Sequence, residues 1–308
     1  MTPSTTHRHL LCFGIGYTAR ALAARLAADG WTVSGTSHSP SHSPSHSPSG
    51  AAPAPSGYKT HPFGRDRPLA AAAWQGVTHI LVSVPPDEAG DPVLDTHGAA
   101  IAALPGLCWL GYLSTTGVYG DRGGGWVDET SPLRPSGERG RRRVAAEAGW
   151  LDLWRRTGAP VHLFRLAGIY GPGRSPFEAL RAGSATRIDR PGQVFSRIHV
   201  EDLASALIAS IARPRPGAVY NVCDDEPAAA EAVVAHAAAL LGLPAPPLLP
   251  LDEANLSPMA RSFYADNKRV SNARLKRELT LRLRYPDYRT GLAAILAALP
   301  RGPVRDLP

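Results

Sequence analysis

Near the N-terminus, Gly14-Ile15-Gly16-Tyr17-Thr18-Ala19 interrupts a short apolar run, His9–Phe13, and leads into a segment of helical periodicity. Two glycines and a small residue at this spacing suit one chemical task. Gly14 permits a tight strand-to-helix turn, Gly16 lets backbone approach a pyrophosphate, and Ala19 lets the helix pack close to the strand. Free N–H groups at the start of the helix then meet phosphate oxygens in a favourable dipole field. Tyr17 and Thr18 lie in the same turn and are assigned with it to cofactor binding. The same fingerprint calls for an Asp or Glu at the end of the second strand, to hold a ribose 2′-hydroxyl. That strand ends Gly35-Thr36-Ser37-His38, with neither a carboxylate nor an arginine. The missing acid weakens the case for NAD(H), while Thr36, Ser37 and His38 offer hydrogen bonds to a 2′-phosphate. NADP(H) is therefore favoured over NAD(H).

The elements that must position this turn alternate in type. Ala19, Leu22, Ala23 and Leu26 form one helical face ended by Asp29-Gly30, and Trp31–Thr36 is the second strand. Ser-His-Ser-Pro repeats then fill a low-complexity stretch, 37–57, that cannot build a core and is expected to be a disordered surface loop. Beyond it come a weak strand at Tyr58–Pro62, a helical stretch near Leu69–Trp74, and an apolar strand, Thr78–Val84, closed by Pro85-Pro86. Helix Asp95–Ala103, strand Cys108–Ser114 and the glycine-rich loop Gly117–Gly125 follow. A helix over Gly137–Arg156 should present Val144, Ala148, Leu151 and Trp154 to the core, and Val161–Leu166 is one more strand. Such alternation predicts an α/β fold with a parallel sheet covered on both faces. A dinucleotide-binding domain is expected over 1–170, and a smaller, irregular C-terminal substrate domain over 171–308. Parts of 196–223 are expected to return to the first domain.

Composition narrows the function classes. The 308 residues are 44% hydrophobic and 19% charged, with a net charge of +7. No apolar run approaches the roughly 20 residues of a membrane span. The polar start, Met1–Leu10, has no apolar signal region, so a cytoplasmic location and no membrane partner are expected. Cys12, Cys108 and Cys223 lie too far apart for a disulfide framework or a zinc site, and no metal is expected. The basic excess has no nucleic-acid motif beside it; a small phosphate-bearing molecule fits better than nucleic acid.

Four further stretches resemble the extended short-chain dehydrogenase/reductase family, which contains the NAD-dependent epimerases and dehydratases. They are Leu113–Gly120 (LSTTGVYG), Arg165–Gly173 (RLAGIYGPG), Ile198–Ala204 (IHVEDLA) and Tyr220-Asn221-Val222. With the glycine turn they span nearly the whole chain in the family's order. The Gly-x-Gly-Tyr-Thr start and Pro85-Pro86 are most similar to an atypical branch whose members often lack the usual catalytic tyrosine. The resemblance implies a Rossmann-type doubly wound parallel sheet. It also implies that Thr115 hydrogen-bonds the reacting oxygen, and that Ser83, Val84 and Pro85 cover the cofactor. Counting back from Glu147, the family's Tyr and Lys positions hold Arg139 and Arg143. Guanidinium stays protonated and accepts no hydrogen bond, so Arg139 cannot replace a tyrosinate. It can act as an electrophile or phosphate clamp, and Arg143 can still donate to ribose hydroxyls; a solvated arginine face is the plain alternative. Tyr119, four residues after Thr115, is the first candidate for a substitute proton carrier, ahead of Tyr112, Glu138 and Asp121. Arg165, Arg174 and Arg197 are candidates for substrate phosphates, and His199 with Asp202 for a buried structural hydrogen bond. The family's habit of pairing through sheet-flanking helices makes a homodimer the inherited expectation.

Two readings stand at this point. One is an NAD(P)-dependent oxidoreductase or epimerase-like enzyme acting on a polar carbonyl, alcohol or nucleotide-sugar. The other is a catalytically silent NAD(P)-binding sensor or partner-binding module. Retained Thr115 favours the first and Arg139 the second.

Overall fold

A computed structural model describes residues 7–37 and 58–299. His38 and almost all of the low-complexity stretch lie outside them. Seven strands form one sheet: β1 His9–Phe13, β2 Thr32–Ser37, β3 Lys59–Pro62, β4 His79–Val82, β5 Trp109–Thr115, β6 Val161–Leu166 and β7 Val219–Val222. Their spatial order is β3-β2-β1-β4-β5-β6-β7, and every neighbouring pair is parallel. The order reverses between β1 and β4, so the loops after these two strands diverge and open a crevice at the C-terminal sheet edge.

Strand periodicity explains the continuous apolar runs. Leu10 and Cys12 of β1 point into one core layer, and Leu11 and Phe13 into the other. The first layer includes Ala19, Leu22 and Leu26 of helix α1 (Tyr17–Ala28), with Leu203 and Leu207 of a later helix, Val200–Ala212. The second is closed by helices α2 (Pro92–Ala102) and α3 (Glu138–Thr157). Leu22 is fully buried, a position where truncation to alanine costs about 2–5 kcal/mol. Helix α2 begins earlier than its periodicity suggests, because the Asp91 carboxylate accepts hydrogen bonds from the N–H groups of Val93 and Leu94 at 3.0 Å each. The expected helix near Leu69–Trp74 is one short 3₁₀ turn, Ala71–Trp74.

The inward face of α3 differs from the expected one. Ala146, Trp150 and Leu153 are buried, together with the carboxylate residue Glu147, whereas Ala148 is exposed. An apolar-only reading rotates the face away from Glu147, which the core accepts because it is paired.

After β6 the chain builds a third core from Tyr170, Phe177, Leu180, Val233, Leu292 and Ile295. It returns to the sheet in the helix Val200–Ala212, in β7 and in the helix Ala273–Leu279, whose Leu275 and Leu279 join the first layer. Cys12 and Cys223 are buried, and Cys108 is exposed at the loop before β5.

Candidate active site

The loop after β1 is clamped from both sides. Gly14 sits at φ +84°, a conformation that favours glycine. Its N–H donates to Thr36 Oγ1 at 3.0 Å, and the Ile15 N–H donates to the Thr36 carbonyl at 3.2 Å. On the other side the Ser83 hydroxyl reaches the carbonyls of Phe13 (3.0 Å) and Gly14 (2.7 Å). A Cβ on Gly14 would lie 2.7 Å from Ser83 Oγ, so the clamp itself requires glycine. Gly35 does similar work in β2: a Cβ there would lie 2.5 Å from Ile15 Cδ1, so its bareness lets Ile15 lie across the strand. A glycine inside a strand was the available signal for this role.

Gly16 is exposed and caps α1 with extended backbone and no side-chain hydrogen bond. A Cβ on it would meet nothing within 4 Å. The first turn of α1 holds no acidic residue. Orphan N–H groups, a positive helix end and open space together fit a phosphate. Ala19 is fully buried against the first core layer.

The neighbours of the turn divide in role. Thr36 is buried, with its Oγ1 accepting the Gly14 N–H, and burial rather than that bond keeps its hydroxyl from a 2′-phosphate; this corrects the expectation for Thr36. Ser37 is half-buried at the strand end, and His38 lies outside the described residues. Thr18 is buried in the first helical turn. Tyr17 turns away from the crevice: its hydroxyl donates to the Pro172 carbonyl at 3.0 Å, and the Arg174 guanidinium lies 5.7 Å from its ring centroid. Burial pushes that phenol up to about 12. Tyr17 thereby ties α1 to the loop after β6. Val84 is half-buried against Gly14, while Pro85 is exposed.

At the end of β5, Thr115 is half-buried and its Oγ1 accepts the Gly117 N–H at 3.1 Å. A hydroxyl has one proton to give and that of Thr115 is not engaged by this bond. Gly140 of α3 packs against the same turn, where a Cβ would sit 3.1 Å from the Gly117 carbonyl. Arg139, next to it, is exposed. Arg143 folds onto the strand: its Nη1 donates to the Tyr112 hydroxyl at 3.0 Å and the Leu113 carbonyl at 2.6 Å.

Behind Thr115 lies a buried polar network that sequence reasoning did not assemble. Ser114 Oγ donates to Glu147 Oε1 at 2.5 Å, and Arg165 Nη2 pairs with Glu147 Oε2 at 2.8 Å. Arg165 Nη1 also donates to the Tyr119 hydroxyl at 2.9 Å, which in turn donates to Asn221 Oδ1 at 2.7 Å. Two sequence-based assignments are corrected here. Tyr119 is wholly buried, with both hydrogen-bonding directions taken and its phenol pushed up to about 12 by burial, so it cannot carry a proton to the crevice. Arg165 neutralises a buried carboxylate and does not meet substrate. Nor do His199 and Asp202 bond each other: His199 Nδ1 accepts the Glu201 N–H, and Asp202 accepts the N–H groups of Arg284 and Tyr285.

Arg174 and Arg197 are brought to one place. Both line a cleft of about 360 Å³ in the C-terminal half, walled by Tyr170, Tyr288, Val233 and Leu292. Among the described residues no group of three or more His, Cys, Asp or Glu is arranged to hold a metal, and no helix is long and apolar enough to cross a membrane.

No family model matches the chain. It is 27% identical over 287 residues to Protein YeeZ of Escherichia coli strain K12, covering 89% of this chain and 95% of that one. It is 31% identical over 187 residues to the 3-diazoavenalumate denitrifying reductase of a Streptomyces species, covering 54% and 58% respectively. Among solved structures it superposes on a conserved protein of unknown function from Silicibacter pomeroyi with a TM-score of 0.84 and 53% identity, covering 94% of this chain and 98% of the other. A candidate NAD-dependent epimerase/dehydratase from Methylobacillus flagellatus gives a TM-score of 0.69 at 26% identity, covering 96% and 99%.

Proposed function

We propose that the chain is an NAD(P)(H)-dependent oxidoreductase or epimerase-like enzyme of the extended short-chain dehydrogenase/reductase family, acting on a polar carbonyl or alcohol; its likeness to a candidate NAD-dependent epimerase/dehydratase supports the reading. One observation carries the reading: a glycine turn held open between Thr36 and Ser83, at an uncapped helix start, on the crevice of a doubly wound sheet. Gly14, Gly16 and the first N–H groups of α1 would hold the pyrophosphate, with Ser83 and Val84 bordering it. Ser37 would face the adenosine ribose, and the absence of an acid in Gly35-Thr36-Ser37-His38 favours NADP(H) over NAD(H). Arg143, anchored on Tyr112, has N–H groups left for ribose hydroxyls. When bound, the nicotinamide supplies reversible hydride transfer.

The chain's own residues shape what that chemistry does. Thr115 has a proton free to donate to a substrate oxygen, and Arg139 is a permanent donor one position away from the packed turn. Donors aimed at an oxygen that gains negative charge lower the barrier to reduction. Reduction would be completed by a proton from solvent, relayed through the Thr115 hydroxyl to the oxygen that gains the hydride's electron pair. Neither Thr115 nor Arg139 is a base able to start a reaction by deprotonation, which favours reduction. A reductase among the relatives supports the same direction. The second reading, a silent binder, draws on Tyr112 and Tyr119 both being buried and bonded. NADPH carrying deuterium at the nicotinamide C4, incubated with a carbonyl panel, separates the two. Stereospecific label in a product is expected; tight binding with no transfer across the panel would favour the binder.

A further inference from the structure

The end of β2, Gly35–Ser37, holds no cation of its own, yet the fold brings one there from α1. The half-buried Arg20 donates from Nε to the Ile15 carbonyl at 3.2 Å, and the Ile15 N–H donates to the Thr36 carbonyl at 3.2 Å. A single residue of backbone thus links the guanidinium to the strand end, and Nε lies at most roughly 10 Å from the Thr36 carbonyl.

Helix geometry agrees with this placement. Arg25 of α1 turns to the helix Val200–Ala212, where its Nη1 donates to the Glu201 carbonyl (3.2 Å) and to Ser205 Oγ (2.6 Å). Five residues at 3.6 per turn put Arg20 about 140° around α1 from Arg25, on the flank that faces β2. Long helical side chains lean toward the N-terminus, which carries the guanidinium to the level of the glycine turn.

We propose that Arg20 determines which dinucleotide this chain takes, pairing its guanidinium with a phosphate on the adenosine 2′-oxygen while Ser37 stands where an acid would repel that phosphate. The proposal deepens the dinucleotide reading above and rests on it. Local charge points the same way. No Asp or Glu occurs from Gly14 to Ala28 or along Thr32–Ser37, and β3 brings Lys59 and His61 into register with Ser34 and Thr36. The positive end of α1 adds to the same field. Nε is the inner nitrogen, so its bond to Ile15 sets the plane of the group without using the terminal edge, which can meet two phosphate oxygens at once. An arginine already anchored on backbone also loses less freedom when an anion arrives.

The two dinucleotides share the pyrophosphate and differ only at the 2′-oxygen, which is a hydroxyl in one and in the other a phosphate of roughly −1.5 to −2 charge at neutral pH. A residue that pairs with that phosphate changes the ratio of the two affinities. A residue that merely holds the glycine turn through Ile15 changes both together.

Fluorescence titrations of NADPH and NADH, with 2′,5′-ADP and 5′-AMP as competitors, on the full chain and on Arg20→Met and Arg20→Lys make the test. The wild type is expected to hold NADPH about tenfold or more tighter than NADH. Arg20→Met keeps a long helix-forming side chain. It should weaken NADPH and 2′,5′-ADP by about the same tenfold, and NADH and 5′-AMP by less than about twofold. Arg20→Lys, which keeps the charge and loses the planar fork, should fall between. Equal loss of NADPH and NADH in Arg20→Met, an unchanged ratio of the two, or a wild type that prefers NADH overturns the proposal and leaves the dinucleotide reading standing. A wild type that binds neither overturns both.

Discussion

At the start of α1, attraction for an anion comes from peptide N–H groups; in the cleft walled by Tyr170 it comes from the guanidinium groups of Arg174 and Arg197. The first region is made by leaving atoms out. Gly14, Gly16 and Gly35 supply no side chain, and Thr36 and Ser83 hold the bare backbone in place. The second is made by anchoring long side chains on carbonyls, as Arg197 is on Phe195 and Ala228. A backbone donor is removed only by proline, which also fixes φ, and is otherwise blocked. Side-chain donors can be removed singly, so the two regions should fail differently.

The largest expected effect belongs to neither. Arg165 reads from its type as a third anion-binding arginine, but it neutralises Glu147 in the core. Arg165→Leu leaves a buried carboxylate unpaired and should lower unfolding free energy by about 3–5 kcal/mol in a urea titration. A chain that keeps its stability would show that Glu147 does not depend on Arg165 for its burial. Tyr119→Phe comes next, removing bonds to Arg165 and Asn221 for about 1–3 kcal/mol. Deuterium transfer, once a substrate is in hand, should stay unchanged; a hundredfold slower transfer would make Tyr119 the proton carrier after all.

Asp224 sharpens the contrast through pH. Its acid is raised from the ordinary carboxylate range to about 8, so between about pH 4 and pH 8 the folded chain holds a proton that the unfolded chain has released. The stability contributed by that proton is complete below the unfolded value and is lost as pH rises through the folded one. Wild-type melting temperature should therefore fall between about pH 4 and pH 8 and level off above that, and Asp224→Asn should fall less. Parallel curves would show that the carboxyl is solvated. Smallest of all, Ser83→Ala removes one clamp from Gly14 and should cost about 1 kcal/mol, with a few-fold weaker NADPH affinity.

These regions were unequally legible in the sequence. Gly14 and Gly16 announce themselves because a missing side chain between a strand and a helix has few other uses. The parallel sheet followed from apolar runs at crossover spacing. The network behind Thr115 was not readable, since Ser114, Glu147, Arg165, Tyr119 and Asn221 come from five places in the chain and meet only after β5, β6 and β7 align. The inward face of α3 was misjudged for the same reason: Glu147 belongs to it only because Arg165 is there. Asp224 carries no local signal at all, as its burial is set by the neighbouring strand and loops.

The bare backbone at the start of α1 is the proposed seat of a dinucleotide. Fluorescence titration of NADPH and NADH against the wild type and Gly16→Asp decides whether it is. Open space at Gly16 means the variant should fold normally, with a carboxylate placed where the pyrophosphate is expected. Micromolar-range binding that favours NADPH and weakens about a hundredfold in the variant is the expected result. Binding of equal strength in both chains, or none in either, would contradict it.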